Sequence, residues 1–350
     1  MSNSTDNVKL SVVIVEWNTD GLLRDCLHSL YRAIERNDLE VIVVDNNSTD
    51  GSRHMVKGEF PRVRLIVNSE NVGFAAANNQ GMSAARGKYI LCLNPDTVVN
   101  AGAVEKSLDF LENNADYAAV GCRIRLPDGS YQTAAAKLFR PLDKFIVYGF
   151  FKYLYSVGLL RKHAYERVKY PAEYLRLDGT VDYMIGAFLM IRRQALDFVG
   201  GLDPAFFFCV DDLDWGLRFN EAGLKMKHLM DCEILHHANQ SGAKIDRFSR
   251  EFQGSSYFWR KHYGLLGKWM FGYLRFSMSL REHTIGILEK VHLSQWRHIV
   301  FAIFMIVCIP IEILLMIPLE IKHQRRIRRF PSYKNLKRFE GSHSGGMPGR

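Results

Sequence analysis

Apolar runs and helical repeats take turns along the first 125 residues. Leu10 to Val15 is a short run rich in β-branched residues, which predicts a buried strand. Leu22, Leu23, Cys26, Leu27, Leu30, Tyr31 and Ile34 then recur at helical spacing. Glu40 to Asp45 (EVIVVD) and Val63 to Val67 predict two more strands. Phe74 to Ala85 reads as a helix of small residues, Tyr89 to Leu93 (YILCL) as a fourth strand, Ala103 to Leu111 as a helix, and Ala118 to Ile124 as a further strand. Strands alternating with helices predict an α/β fold with a mostly parallel sheet and right-handed crossovers. Ligands of such sheets bind beyond the carboxyl ends of the strands. The polar residues that follow each strand are therefore the ones to weigh.

The pattern changes further along. Residues 141–180 are less regular, and Phe145 to Leu160 is aromatic-rich with Lys152 as its one charge. That stretch suits a core helix or a helix lying on a membrane. Residues 181–240 return to α/β character, and Arg260 to Leu280 mixes aromatics with Arg and Lys, as interfacial helices do. Ile299 to Leu319 is 21 residues long and has Glu312 as its one charge. Its length suits a bilayer span, but Pro310, Pro318 and Glu312 disfavour a plain spanning helix. A re-entrant or interfacial hairpin broken at Pro310 fits equally well and leaves Arg297-His298 and Lys322 onward on the cytosolic side. A buried amphipathic helix is the remaining alternative. The expected organisation is an α/β domain over 1–260, a helical membrane-associating region over 261–340, and a disordered tail over 341–350.

Charge sharpens this. The net charge is +9, and Lys322, Arg325, Arg326, Arg328, Arg329, Lys334, Lys337 and Arg338 all fall within the last 30 residues. A basic excess beside an apolar segment predicts anionic lipid as partner, and no nucleic acid. The six cysteines form no C-x-x-C pair and no metal-ligand spacing, which suits a reducing compartment. The N-terminus shows no signal-peptide apolar region, so the expected location is the cytosolic face of the inner membrane.

Five clusters carry candidate chemistry. VIVVDNNSTDG (41–51) puts Asp45 at a strand end, able to accept from a base or a ribose; an ordinary capped turn reads equally well. NVGFAAANNQG (71–81) offers a tight approach at Gly73 and amides on a small-residue helix; close helix-sheet packing explains the alanines but not the amides. Asn94-Pro95-Asp96 follows YILCL. Asp96 is a candidate cation ligand, since Mg²⁺ commonly takes one or two carboxylates and fills its shell with phosphate and water; a plain turn is the alternative. FFFCVDDLDWGLR (206–218) crowds Asp211, Asp212 and Asp214 after apolar residues. Burial there raises carboxylate pKa values toward a general base's working range, whereas a helix N-terminus also favours acids. Arg218 follows Asp214 at i+4 and can pair with it. ILHHANQS (234–241) places tandem histidines after a strand, suited to metal or phosphate.

In this order and spacing, SVVIVEWN (11–18), VVDNNSTDGS (43–52), NVGFAAANNQG (71–81), YILCLNPD (89–96), IGAFLMIRRQALDFVGGLDPAFFFCVDDLDWGLR (185–218) and ILHH (234–237) resemble glycosyltransferase family 2. The branch they are most similar to is the bacterial rhamnosyltransferase type. The resemblance implies a GT-A fold and an inverting transfer of sugar from a nucleoside diphosphate to a hydroxyl of a glycan or lipid-linked acceptor, in cell-surface polysaccharide synthesis. It implies Asp212 as general base with Asp211 beside it, Asp96 and His236 at a Mg²⁺ or Mn²⁺ ion, and Asp45 at the base or ribose. The implied donor side also takes in Glu16, Asn18, Asn47 and Asn71. Gly73, Phe74, Asn78 and Asn94 complete it. The implied acceptor side comprises Gly186, Asp214 and Arg218. Three residues depart from the family pattern: Asn94 in place of an Asp, Asp211 in place of a Glu, and Glu16 where Thr or Asn is common. Rhamnose on deoxythymidine diphosphate is the first expectation for the donor, with uridine and guanosine diphosphate sugars open.

Two other classes compete. A dinucleotide-dependent oxidoreductase needs G-x-G-x-x-G in its first turn, and EWNTDGLL has a single glycine. A non-catalytic nucleotide-sugar-binding membrane protein is favoured by Asn94 and disfavoured by Asp96, Asp211, Asp212 and His236.

Overall fold

In a computed structural model, the described residues are 8–34, 38–136, 161, 179–207, 209–238, 247–290, 314, 317–319 and 321. Phe145–Leu160, most of Ile299–Leu319 and the basic and terminal stretches from 322 onward lie outside them. The described residues fall into two compact units, one holding the sheet and its helices up to Arg250, the other holding Glu251 onward.

In the first unit the strands are β1 (Leu10–Glu16), β2 (Leu39–Asp45), β3 (Arg64–Val67), β4 (Tyr89–Leu93), β5 (Thr97–Val99), β6 (Tyr117–Arg125), β7 (Tyr131–Gln132), β8 (Ala135–Ala136), β9 (Gly179–Val181), β10 (Tyr183–Met184), β11 (Phe188–Arg192) and β12 (Lys225–His236). The helices are α1 (Asp20–Ala33), α2 (Ser52–Glu59), α3 (Phe74–Ala84), α4 (Ala103–Asn113), α5 (Arg193–Val199) and α6 (Asp211–Glu221). The main sheet has the order β3-β2-β1-β4-β11-β6-β12-β5, with β7 added at β6 and β9 at β12; β8 and β10 form a separate pair.

The parallel half matches the expectation: β3, β2, β1 and β4 all run one way. The sheet as a whole is mixed. β11 runs antiparallel between β4 and β6, and β5 runs antiparallel to the end of β12. The reason is connection length. Three residues, Asn94 to Asp96, separate β4 from β5, far too few for the crossover that parallel neighbours need. β5 therefore pairs elsewhere. β12 shifts register between Leu229 and Glu233, and its last residues pair with β5, His236 opposite Thr97.

Central strands are buried on both faces, as their unbroken apolar runs require. On one face Leu10, Val12, Ile14, Val41 and Val43 pack with α1, α2 and α4. On the other, Val13, Val15, Ile42 and Val44 pack with α3, α5 and α6. In α1 the buried Leu23, Cys26, Leu27 and Leu30 recur at three and four residues, which puts them on one face. The small residues of α3 have a steric cause. A Cβ on Gly81 would collide with Val13 Cγ1, so this helix lies directly on β1.

The second unit contains most of α7 (Arg247–Lys290), which breaks at Gly264, φ 77°. Beyond the break the chain folds back: the rings of Phe252 and Phe271 lie 5.6 Å apart, and a Cβ on Gly267 would meet Trp259 O at 2.6 Å. α7 is thus a helical hairpin with a glycine at its bend and another at its closest approach. Among the described residues, no helix is long and apolar enough to cross a membrane.

Candidate active site

β1 and β2 end side by side, Glu16 in register with Asp45. Both carboxylates are buried. Glu16 Oε1 accepts from Thr19 N (3.0 Å), Ser48 Oγ (3.0 Å) and Ser52 Oγ (2.6 Å), and Oε2 accepts from Thr19 Oγ1. A wholly buried carboxylate with these donors braces the two strand exits. Asp45 Oδ1 accepts from Ser48 N at 3.0 Å, and Oδ2 accepts from Arg53 Nε. Arg53 Nη2 donates to Asn47 Oδ1 at 3.2 Å. The polar surface at this strand end therefore includes a half-buried guanidinium that the sequence reading passed over. Its signal was a basic residue one turn into α2, eight residues after Asp45. Asn18 Oδ1 accepts from Thr49 N at 2.7 Å.

Asn46 organises the next turn. Its Nδ2 donates to Asn71 Oδ1 at 2.8 Å, and its Oδ1 accepts from Val72 N at 3.0 Å. Asn71 Oδ1 also accepts from Gly73 N. Gly73, with φ 87°, precedes α3, where a Cβ would sit 2.9 Å from Phe207 O. Phe74 N donates to Phe207 O at 3.0 Å. Asn78 Nδ2 turns back onto Phe74 O, and Asn79 bonds both the N–H and the carbonyl of Leu202. The amides of α3 thus tie its start to the segment that leads into α6. Asn78, expected at the donor, is 2% exposed and works within its own helix.

The third cluster is assembled by sheet topology. Asp96 precedes β5, His236 ends β12, and the pairing of these strands places His236 Nε2 3.2 Å from Asp96 Oδ1. His236 Nδ1 lies 2.8 Å from Gln132 Oε1 on β7. If Nδ1 carries the proton, it donates to that oxygen and Nε2 presents its lone pair toward Asp96. Asn94 N donates to Ala187 O, and Asn94 Oδ1 is buried without a hydrogen-bond partner. A Cβ on Gly186 would lie 3.8 Å from Phe74. Residues 74, 94, 96, 186, 187 and 236 therefore form one contiguous stretch. Among the described residues, no group of three or more His, Cys, Asp and Glu side chains is placed to hold a metal. The Asp96 carboxylate and the His236 imidazole could supply two ligands to an ion that takes its others from phosphate and water.

Asp211 and Asp212 open α6. They follow Cys209 and Val210, both left-handed at φ 67° and 70°. A β-branched residue in that region is strained. All five non-glycine residues with positive φ among those described, Asn18, Asn47, Cys209, Val210 and Ala238, lie in the segments already named. Burial pushes Asp211 up to about 8, helped by the neighbouring Asp212 and Asp214 charges. Burial also pushes Asp212 up to about 6, opposed by the backbone N–H of Leu213, which donates to its Oδ1 at 2.7 Å. Near neutral pH the two carboxyls thus share a proton unequally, and Asp212 is the better candidate for the ionised one.

Asp214 and Arg218, expected at the acceptor, are partnered within the fold. Asp214 is wholly buried, and Arg218 Nε donates to its Oδ2 at 2.9 Å. The same guanidinium donates to the carbonyls of Val199 and Gly201. The pair clamps α6 to the turn after α5.

Comparison with known proteins follows the same lines. A family model described as glycosyl transferase family 2 matches residues 11–200. The N-acetylglucosaminyl-diphospho-decaprenol L-rhamnosyltransferase of Mycobacterium tuberculosis (strain ATCC 25618 / H37Rv) is 29% identical over 291 residues, 79% of this chain and 92% of that one. Rhamnosyltransferase WbbL of Escherichia coli (strain K12) is 24% identical over 188 residues, 52% of this chain and 66% of that one. The solved mannosyltransferase PcManGT from Pyrobaculum calidifontis, in complex with GDP-Man and Mn²⁺, shares the fold with a TM-score of 0.53 at 16% identity, covering 90% of this chain and 87% of that one.

Proposed function

The chain belongs to glycosyl transferase family 2, and from that membership we propose that it transfers a sugar, rhamnose first among candidates, from a nucleoside diphosphate to a hydroxyl of a lipid-linked glycan in cell-surface polysaccharide synthesis. The observation that carries the proposal is the Asp211–Asp212 pair. Burial raises the pKa of both carboxyls, which follow the strained Cys209-Val210 turn, and Phe207, two residues before that turn, accepts a hydrogen bond from the start of α3.

In this reading the acceptor hydroxyl gives its proton to Asp212 as its oxygen attacks the anomeric carbon from the face opposite the leaving nucleotide. The configuration inverts. Asp212, raised to about 6, is mostly ionised at neutral pH and still basic enough to take that proton. Asp211, raised to about 8, stays protonated beside it and spares Asp212 a second negative neighbour. Arg53, Asp45 and Asn47 offer mixed donors and acceptors to the base and ribose. Asp96 and His236 would hold Mg²⁺ or Mn²⁺, and such an ion, when bound, offsets charge on the departing diphosphate. Asn94 Oδ1, buried and unsatisfied in this state, gains a partner when the donor site fills. The two rhamnosyltransferase relatives favour rhamnose, and the acceptor in the mycobacterial relative's name favours a polyprenyl-diphosphate glycan. The work is then done at the cytosolic face of the inner membrane.

The test offers purified protein a panel of nucleotide sugars with Mn²⁺ or Mg²⁺ and a lipid extract, and follows free nucleoside diphosphate. One donor is consumed. Asp212→Asn lowers turnover by about 10²–10⁴-fold while donor affinity holds. Turnover that survives this substitution would remove Asp212 from its role.

A further inference from the structure

In the α7 hairpin Trp259, Tyr263, Met270 and Phe271 are buried, with the rings of Trp259 and Tyr263 4.9 Å apart. A helix that covers a core on one side ordinarily turns polar on the other. Here it does not. Leu265 is 65% exposed, Leu266 43% and Trp269 76%, all within five residues of the Gly264 break. Arg260, Lys261 and Lys268 are exposed around them. From Phe252 to Arg281 the chain has five basic residues and no Asp or Glu. In the same unit Leu314, Ile317 and Ile321 are also exposed, at the three-and-four spacing that stacks side chains on one helical face.

We propose that the face carrying Leu265, Leu266 and Trp269 is a membrane-docking surface, seated in the headgroup layer of an anionic bilayer. The apolar side chains enter the boundary with the acyl region, where tryptophan is favoured. Arg260, Lys261 and Lys268 meet the lipid phosphates. Charge decides between this occupant and others. A second copy of the same face would set basic residues against basic residues across a twofold contact. An apolar protein groove would leave the acid-free basic rim without counter-charge.

This deepens the reading of a lipid-linked acceptor by naming the surface that would bring the enzyme to it. The test reads binding apart from transfer. Full-length protein is co-sedimented with phosphatidylcholine vesicles, with and without phosphatidylglycerol. Wild type binds the anionic vesicles. The triple variant Leu265→Ser, Leu266→Ser, Trp269→Ser loses at least about tenfold in partitioning, and Trp269→Phe stays within about twofold. The triple variant's thermal melt matches wild type, since the altered side chains are exposed. Should it melt early, Lys261→Glu with Lys268→Glu serves instead and must lose anionic binding at low salt. Equal vesicle binding by wild type and the sound variants overturns the proposal. So does a wild-type dimer, seen by light scattering, that the variants dissolve with vesicle binding unchanged. Vesicle binding as expected with no sugar transfer would leave this surface standing and bring down the proposed activity.

Discussion

Asp211 and Asp212 are neighbours with different chemical prospects, and the difference has measurable consequences. Proton acceptance by Asp212 requires its ionised form, so turnover rises with pH through about 6. A pH–rate profile of the purified enzyme checks this, and a flat profile down to pH 5 counts against Asp212 as base. Asp211 leaves its mark on stability. Its carboxyl ionises near 3.8 in an unfolded chain and about 8 in the fold. Well below 3.8 it is protonated in both states and costs nothing. As pH rises through 3.8 to about 8 the unfolded chain releases the proton and the fold retains it, so stability falls across that window. Asp211→Asn removes the fall. The gap between its denaturation midpoint and that of wild type widens in its favour from about pH 4 to about pH 8. Sequence alone singled out both aspartates and the Asp96–His236 pair, whose side chains the fold brings to 3.2 Å. It did not foresee the internal partners of Glu16, Asp214 and Arg218, because an isolated charged residue gives no hint of how many buried donors and carbonyls surround it.

At the scale of elements, β1, β4 and α1 were legible because each is a strong period, an all-apolar strand or a one-sided helix, whereas the three-residue β5 was not read from the sequence. The direction of β11 was not, since nothing local distinguishes a strand entered from one end of a sheet from one entered from the other. The amides of α3 misled for a related reason. Asn79 bonds Leu202, 123 residues away, and only the fold brings them together. α3 also shows why small residues there need no ligand to explain them. Gly81→Ala drives a methyl group into Val13 between two packed layers, with an expected loss of about 1–3 kcal/mol. Urea denaturation measures it, and a neutral result means the helix can lift from β1.

For the whole molecule, the proposed donor site draws on separate segments of the first unit, so its occupancy would be linked to folding. Deoxythymidine or uridine diphosphate with Mn²⁺ should raise the melting temperature, by about 2.7 kcal/mol of stability at a hundredfold excess over the dissociation constant. Chelation should remove most of that gain, and Asp96→Ala should make the nucleotide effect indifferent to Mn²⁺. A gain unchanged by chelator would locate the diphosphate's counter-charge in side chains instead. The acid-free stretch of α7 bears a separate task, and its exposed tryptophan is the part of that task a sequence cannot rank, because burial decides which aromatics are core and which are surface.

The meeting of β5 with the end of β12 has a bearing on how the protein comes into being. Asp96 is made early and His236 some 140 residues later. While the chain is still emerging, the parallel half of the sheet can collapse on its own short-range contacts. The corner where Asp96 meets His236 cannot close until β12 has left the ribosome and paired with β5. A polypeptide interrupted before residue 236 would therefore hold the parallel half of the sheet and lack the group that faces Asp96.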